Sequence, residues 1–244
     1  MSIHSRPQAA MGACRCMVCA ENSGMARRGF LRAAAVALTV GASVGLAPRA
    51  ARAQSTVTPD EALARLAAGN ERFVGAKLAS FQEDLDILKQ NNVAKQEPFA
   101  AVLSCADSRV PVELVFDQSL GHVFVTRVAG NVATSEVIAS LEYGVAVLGV
   151  KAIMVLAHEG CGAVKAAVGG KAVPGQISGL YPPLRAAVLS AGPDYEAVAK
   201  ANAKIQADIL SNASPVMGEA IKQGTLKIVA AYYALANGKV TALA

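Results

Sequence analysis

The sequence contains no tryptophan, and it has only three histidines and five cysteines among 244 residues. Charged side chains are also scarce at 17%, whereas 53% of the residues are hydrophobic. An intrinsically disordered chain would need low hydrophobicity and a high net charge, and a collagen would need glycine at about every third position. Both classes are therefore excluded, and the composition predicts a globular protein.

The formal charge of +5 originates at one end of the chain. Residues 1–53 contain seven arginines and one acid, Glu21, whereas residues 54–244 contain 16 basic and 17 acidic side chains. Proteins that bind nucleic acid present a basic surface, because binding releases counterions from the phosphates. The body of this chain, with a net charge of −1, offers no such surface. We therefore expect no nucleic-acid partner.

Residues 1–53 have the features of a secretory leader. The pair Arg27-Arg28 is followed by Gly-Phe-Leu, by an uncharged run over residues 33–47, and by the small-x-small sequence at residues 51–53. The run is shorter than the ~20 residues that span a bilayer. The arginine pair resembles signals of the twin-arginine type. We predict a signal peptide over 1–53, export to the periplasm by the twin-arginine machinery, and no stable membrane span; the alternative is an uncleaved N-terminal membrane anchor.

Cleavage after Ala53 would leave residues 54–244, a length suited to one domain with a single substantial core. Three cysteines would leave with the leader, and we assign them no role in the mature chain: Cys14, Cys16 and Cys19. We see no internal repeat and predict a single catalytic domain over 54–244.

The mature sequence alternates short apolar runs with helical patterns. Thr58-Pro59-Asp60-Glu61 is typical of a helix start, and Asn237-Gly238 is a strong hairpin signal. The predicted strands cover residues 99–104, 122–128, 152–157, 225–235 and 239–242, and the predicted helices cover residues 58–74, 81–90, 112–116, 135–148, 184–189, 195–210 and 215–223. Short apolar strands separated by helices indicate an α/β fold with a central, mostly parallel β-sheet flanked by helices, here with a C-terminal hairpin at its edge.

Two cysteines remain in the mature chain, and each follows a predicted strand. In an exported protein, Cys105 and Cys161 would ordinarily predict one disulfide. However, His158 precedes Cys161 by three residues, so that the two side chains could bind one metal ion, and Cys105 would complete a Cys₂His set. Such a set is suited to zinc and leaves a fourth position open for water. The residues alone leave both interpretations open.

Four motifs then resemble those of the β-class carbonic anhydrases, in the same order and at similar spacing, from about Pro59 to the C-terminus. They are Cys105-Ala106-Asp107-Ser108-Arg109-Val110, Arg127-Val128-Ala129-Gly130-Asn131, Glu142-Tyr143-Gly144 and Ala157-His158-Glu159-Gly160-Cys161-Gly162-Ala163. The resemblance implies a zinc lyase that catalyses the reversible hydration of CO₂ to bicarbonate and a proton by zinc-bound hydroxide.

The resemblance also implies a role for particular residues. One zinc ion per chain would be bound by Cys105, His158 and Cys161. Asp107 and Arg109 would form the catalytic pair: because two thiolates make a zinc-bound water harder to deprotonate, Asp107 would accept a hydrogen bond from that water while Arg109 holds the carboxylate ionised. The residues expected to line the substrate pocket, some of them from a neighbouring subunit of a homodimer or homotetramer, are Gln96, Phe124 and Tyr143.

The chain departs from the family pattern at several positions. Ala106 replaces a serine, and Glu159 replaces a small hydroxyl residue; we expect Glu159 to be a solvated charge, with a proton acceptor at the pocket mouth as the alternative. Some family members bind bicarbonate at a non-catalytic site through a tryptophan and an arginine. Here Arg127 matches the arginine but Val102 replaces the tryptophan, so that form of inhibition is not expected. We interpret His122 as a loop residue.

Two other functions fit the same residues less closely. Carbon disulfide or carbonyl sulfide hydrolases use similar zinc chemistry on a similar scaffold. A non-catalytic exported binding protein with a Cys105–Cys161 disulfide is the alternative outside the enzymes, but it leaves Asp107-Ser108-Arg109 unexplained.

Overall fold

The computed structural model describes residues 55–89 and 96–244, which belong to one compact unit of the chain, Ala50–Ala244. The helices are α1 (Pro59–Val74), α2 (Ser80–Lys89), α3 (Val112–Val115), α4 (Ser135–Ala146), α5 (Gly162–Gly169), α6 (Tyr181–Ala191), α7 (Tyr195–Ala213) and α8 (Pro215–Lys222), with a 3₁₀ turn at Ile177–Leu180. The strands are β1 (Ala100–Ser104), β2 (Val123–Arg127), β3 (Ala152–His158), β4 (Lys227–Tyr233) and β5 (Val240–Leu243).

The five strands form one sheet in the order β2-β1-β3-β4-β5. The first four are mutually parallel, and β5 pairs antiparallel with β4 across the hairpin at Asn237-Gly238. The predicted α/β fold with a mostly parallel sheet and a hairpin at its edge is therefore confirmed. Successive side chains of a strand point to opposite faces of the sheet, and two separate apolar clusters cover these faces.

Most predicted elements are present within a few residues of their expected ends, but helix α5 was missed. Its sequence, GAVKAAVG, has glycine at both ends and spans little more than two turns, so no helical periodicity develops. In addition, the sequence from His158 to Cys161, just before α5, is compatible with a loop that needs no helix after it. The strand predicted over residues 225–235 is shorter and covers Lys227–Tyr233.

A buried carboxylate attaches the first two helices to the loop after α3. Asp117 is 3% exposed and has a φ of 43°, a conformation that asparagine and aspartate tolerate best among residues with a side chain. Its carboxylate accepts hydrogen bonds from Arg72 of α1 and from the backbone N–H groups of Ala79 and Ser80 at the start of α2. One carboxylate thus joins α1, α2 and the loop after α3.

The predicted leader, including Cys14, Cys16 and Cys19, lies outside the described residues. Among the helices of residues 55–89 and 96–244, none combines the length and apolar character required to cross a bilayer.

Candidate metal centre

Two neighbouring parallel strands carry the predicted ligands to the same edge of the sheet. Cys105 directly follows β1, and His158 is the last residue of β3. The strands are in register with Ser104 opposite Leu156. Cys161 follows three residues after His158 as the N-cap of α5. The carboxyl ends of parallel strands are where α/β sheets bind ligands.

The structure brings the three predicted ligand residues together. The Sγ atoms of Cys105 and Cys161 and a ring nitrogen of His158 all lie within 4.8 Å of one another, and all three residues are buried. The two sulfur atoms are 3.9 Å apart and both cysteines are free. A disulfide requires an S–S distance of about 2.05 Å. The alternative of a Cys105–Cys161 disulfide is therefore wrong for this structure.

The imidazole of His158 is oriented for ligation through one nitrogen. Its Nδ1 lies 2.8 Å from the carbonyl oxygen of Glu159. A carbonyl can only accept a hydrogen bond, so Nδ1 carries the proton and Nε2 presents a lone pair. Within the described residues this Nε2 is buried without a hydrogen-bond partner. A buried, unpaired lone pair beside two thiols fits a metal ion.

The surroundings of Cys105 favour its thiolate. A hydrogen bond from the Cys161 thiol lowers the pKa of Cys105, and the backbone N–H of Gly130 also donates to its Sγ at 3.3 Å. The same shared hydrogen bond and burial raise the pKa of Cys161. Two sulfurs and one imidazole nitrogen are a donor set suited to zinc.

Asp107 and Arg109 form a bidentate ion pair beside these ligands. The Arg109 side chain donates from Nε to Oδ1 at 2.9 Å and from Nη2 to Oδ2 at 2.8 Å, and its backbone N–H also donates to Oδ1. These bonds hold the pKa of the Asp107 carboxyl well below its usual range. Oδ2 lies 3.9 Å from Nε2 of His158. Asp107 is therefore an ionised acceptor at the edge of the ligand group.

Arg127, at the end of β2, holds the loop that carries these residues. Its guanidinium donates to the backbone carbonyl of Cys105 at 3.0 Å and to that of Asp107. Sequence reasoning had considered Arg127 only as a match to a bicarbonate-site arginine and missed this contact. Val102, at the position of the absent tryptophan, is fully buried in the core.

The three predicted pocket residues do not join this group within one chain. Phe124 pairs in register with Ala101, four residues before Cys105, which places it about 13 Å away along the strand. Tyr143 on α4 is 47% exposed, and its ring centroid lies 6.4 Å from that of Phe124. Gln96 is exposed and precedes β1, whose other end carries Cys105. Phe124 and Tyr143 thus lie together on the β2 side of the sheet.

Glu159 is half-buried and also makes a backbone contact. Its Oε2 accepts a hydrogen bond from the backbone N–H of Ala236 at 3.1 Å, and its own N–H donates to the carbonyl of Tyr233. Glu159 thus ties the ligand loop to the β4–β5 turn. His122 lies in the loop before β2, with Nε2 3.8 Å from a carboxylate oxygen of Glu83 on α2.

Comparison with known proteins identifies the family. Residues 100–240 match the family model described as carbonic anhydrase. The chain belongs to this family. It is 36% identical to carbonic anhydrase 2 of Mycobacterium tuberculosis over 189 residues, which cover 74% of this chain and 91% of that protein. It is 35% identical to a carbonic anhydrase of Mycolicibacterium smegmatis over 183 residues, 70% of this chain and 87% of that one.

Solved structures of β-carbonic anhydrases have the same fold. The enzyme CafA of Aspergillus fumigatus superimposes with a TM-score of 0.60 at 28% identity, over 75% of this chain and 89% of that one. A tetrameric β-carbonic anhydrase of Sordaria macrospora gives a TM-score of 0.60 at 24% identity, over 72% of this chain and 93% of that one. This carbonic anhydrase is therefore an enzyme of the β-class, a lyase.

Proposed function

We propose that this protein is an exported, zinc-dependent carbonic anhydrase that interconverts CO₂ and bicarbonate. The observation that supports this most strongly is the unpaired Nε2 of His158, buried beside two free thiols and 3.9 Å from the ionised Asp107. One zinc ion per chain would be held by Cys105, His158 and Cys161. When bound, zinc would supply the Lewis acidity that activates water toward CO₂ at neutral pH.

Asp107 and Arg109 would orient that water. Two Arg109 N–H groups already occupy Oδ1 of Asp107, whereas Oδ2 receives only one. Oδ2 therefore keeps an acceptor site on the side of His158, where it can take a hydrogen bond from water and fix the direction of the water's lone pair. Arg109 also donates to the carbonyl of Gly160 at 3.4 Å, which links the two ligand loops.

The substrate pocket would be completed by a second subunit of a homodimer or homotetramer. Gln96, Phe124 and Tyr143 lie away from the ligands of their own chain, and β2 is an edge strand of the sheet. The Phe124 and Tyr143 rings would supply an apolar wall for CO₂ in the partner's site. Gln96 would supply an amide that can hydrogen-bond to bicarbonate.

Export to the periplasm through the twin-arginine machinery is also part of the proposal, and it rests on the sequence of residues 1–53. This route exports folded proteins, so zinc would bind in the reducing cytosol before the thiols reach an oxidising compartment.

The experiment is elemental analysis of the purified protein, with stopped-flow CO₂ hydration and CS₂ hydrolysis on the same sample. We expect about one zinc per chain, fast CO₂ hydration and no CS₂ turnover. Full zinc with CS₂ turnover alone would show that the substrate is wrong, and a protein that cannot be loaded with zinc would contradict the proposal.

A further inference from the structure

Two amide side chains buried on helix α7 have no part in the mechanism above. Asn202 is fully buried and Gln206, one turn later, is 1% exposed, on a helix that packs against β3 and β4. Asparagine and glutamine are mostly exposed in proteins. Burying their amides costs free energy unless each finds hydrogen-bond partners. The partners of these two side chains therefore indicate what the pair stabilises.

Both amides bind the loop that follows β2. Asn202 donates from Nδ2 to the carbonyl of Gly130 at 2.9 Å, and Gln206 accepts from the N–H of Ala133 through Oε1 at 2.8 Å. Gln206 also donates from Nε2 to Oδ1 of Asn202 at 3.0 Å, which fixes the orientation of the Asn202 amide. Helix α7 thus fixes the loop at two points.

The loop residue that Asn202 holds is in direct contact with a predicted ligand. The N–H of Gly130 donates to Sγ of Cys105 at 3.3 Å. The peptide that follows Gly130 is fixed at both ends, because its carbonyl binds Asn202 and its N–H, from Asn131, donates to the carbonyl of Val128 at 2.9 Å. The bond from Asn131 to Val128 also closes a turn over residues 128–131, and the Gly130 N–H lies in the central peptide of that turn. Asn202 therefore acts on the direction of this N–H through the turn, across the Cα atom of Gly130.

A larger residue at Gly130 would be strained. Its φ is +78°, and a Cβ atom there would lie 3.3 Å from Cβ of Ala163 in helix α5. Both the backbone conformation and the close approach of α5 favour glycine. The N–H···S contact therefore depends on packing around Gly130 that α5 and α7 share.

We propose that Asn202 is a positioning residue for the metal centre and acts through Gly130 on the sulfur of Cys105. An N–H donor reduces the charge density on a ligating thiolate and fixes its direction, and such outer contacts commonly change metal affinity by about 10- to 100-fold. Loss of the Asn202 amide loosens the turn that holds the Gly130 N–H against Cys105 and weakens the bond between Cys105 and the metal. This inference rests on the proposed zinc site.

The test compares Asn202→Ala with Asn70→Ala in the zinc-loaded protein. Asn70 is a matched control because it is also buried, at 5% exposure, and also donates to backbone carbonyls, those of Val115 and Gly238. Val115 belongs to the apolar cluster on the face of the sheet opposite to Cys105. Both variants lose stability, so stability alone does not separate the two positions.

Two measurements distinguish the Asn202→Ala variant from the Asn70→Ala variant. The rate of zinc release to a chromophoric chelator rises about tenfold in Asn202→Ala and stays unchanged in Asn70→Ala. With Co²⁺ in place of zinc, the thiolate-to-cobalt charge-transfer band shifts only in Asn202→Ala. If Asn202→Ala does not fold, Gln206→Leu takes its place and gives the same result to a smaller degree. This variant removes the bond that orients Asn202, together with the bonds to Ala133 and to the carbonyl of Pro183.

The inference would be overturned if the two variants had the same rate of zinc release and the same cobalt spectrum. That failure is distinct from failure of the proposed function, because a wild-type protein that binds neither zinc nor cobalt would contradict the metal site itself.

Discussion

Oδ2 of Asp107 lies 3.9 Å from Nε2 of His158, and each atom is oriented by a different partner. Arg109 holds the carboxylate, while the carbonyl of Glu159 fixes the imidazole. The space between the two atoms is thus lined by an ionised acceptor and a lone-pair donor. In the proposed site, Asp107 stays paired with Arg109 and binds water, and it does not act as a fourth zinc ligand.

The first prediction concerns that carboxylate. Asp107→Asn keeps three ligands and should retain one zinc per chain, but the amide cannot act as an anionic acceptor. We expect the CO₂ hydration rate to fall about 100-fold or more, as measured by stopped flow beside a zinc assay. Glu113→Gln, an exposed carboxylate on α3, serves as the control. Full activity in Asp107→Asn would show that our role for the Asp107–Arg109 pair is wrong.

The second prediction concerns His158. His158→Ala removes the only nitrogen of the donor set, so zinc and activity should be lost together. His122→Ala is the matched control, because His122 lies in the loop before β2 and pairs with α2. It should keep both zinc and activity. Retention of full zinc by His158→Ala, measured by elemental analysis after dialysis, is the result that would exclude His158 as a ligand.

The third prediction concerns Asp117 and acid stability. Although burial would raise its pKa, the hydrogen bonds from Ser80, Arg72 and Ala79 outweigh burial and lower the pKa of Asp117. A carboxyl with a lowered folded-state pKa stabilises the fold above its unfolded pKa, near 4, and this contribution is lost as the pH falls toward the folded value.

Asp117→Asn should therefore reduce the free energy of unfolding by about 2 kcal/mol at pH 7. Asparagine tolerates the positive φ, so backbone strain adds little. The measurement is urea denaturation of both proteins from pH 7 to pH 3. The difference between them should be constant down to about pH 5 and shrink below it; a difference that grows in acid would contradict this assignment.

The fourth prediction tests the shared pocket by mixing two defective subunits. One carries Asp107→Asn, and the other carries Gln96→Ala with Phe124→Ala. If the pocket residues come from the partner, a mixed dimer contains one intact site and one doubly altered site. Random co-assembly should then restore about a quarter of the wild-type activity. Activity no higher than the mean of the two separate variants would place the pocket residues in their own subunit's site.

Much of the fold was predictable because it depends on local patterns. Apolar runs that alternate with helical patterns predicted the parallel strands, and Asn237-Gly238 predicted the hairpin to β5. Cys105 and His158 were each predicted at the end of a strand. Because neighbouring parallel strands end at the same edge of a sheet, their proximity was predictable as well. Helix α5 was not predictable, because two glycine-flanked turns show no periodicity.

Contacts between segments that are far apart in the sequence could not be predicted from it. The hydrogen bond from Ala236 to Glu159 depends on where the β4–β5 turn meets the ligand loop. The hydrogen bond from Arg127 to Cys105 depends on the pairing of β2 with β1. Asn202 and Gln206 did carry a signal, since both fall on the apolar face of helix α7 at a spacing of four residues. Polar residues on a core face indicate partners there, but only the structure shows that one of them is Gly130.

The most direct test of the proposed site is a zinc titration followed by stopped-flow CO₂ hydration. Zinc is removed from the purified protein with a chelator under reducing conditions and returned in steps. The rate should rise linearly and stop rising at one zinc per chain, because the proposed ligands Cys105, His158 and Cys161 would form a single site. Hydration that persists without zinc, or a rate that stays at the uncatalysed level after one equivalent has bound, would contradict the account.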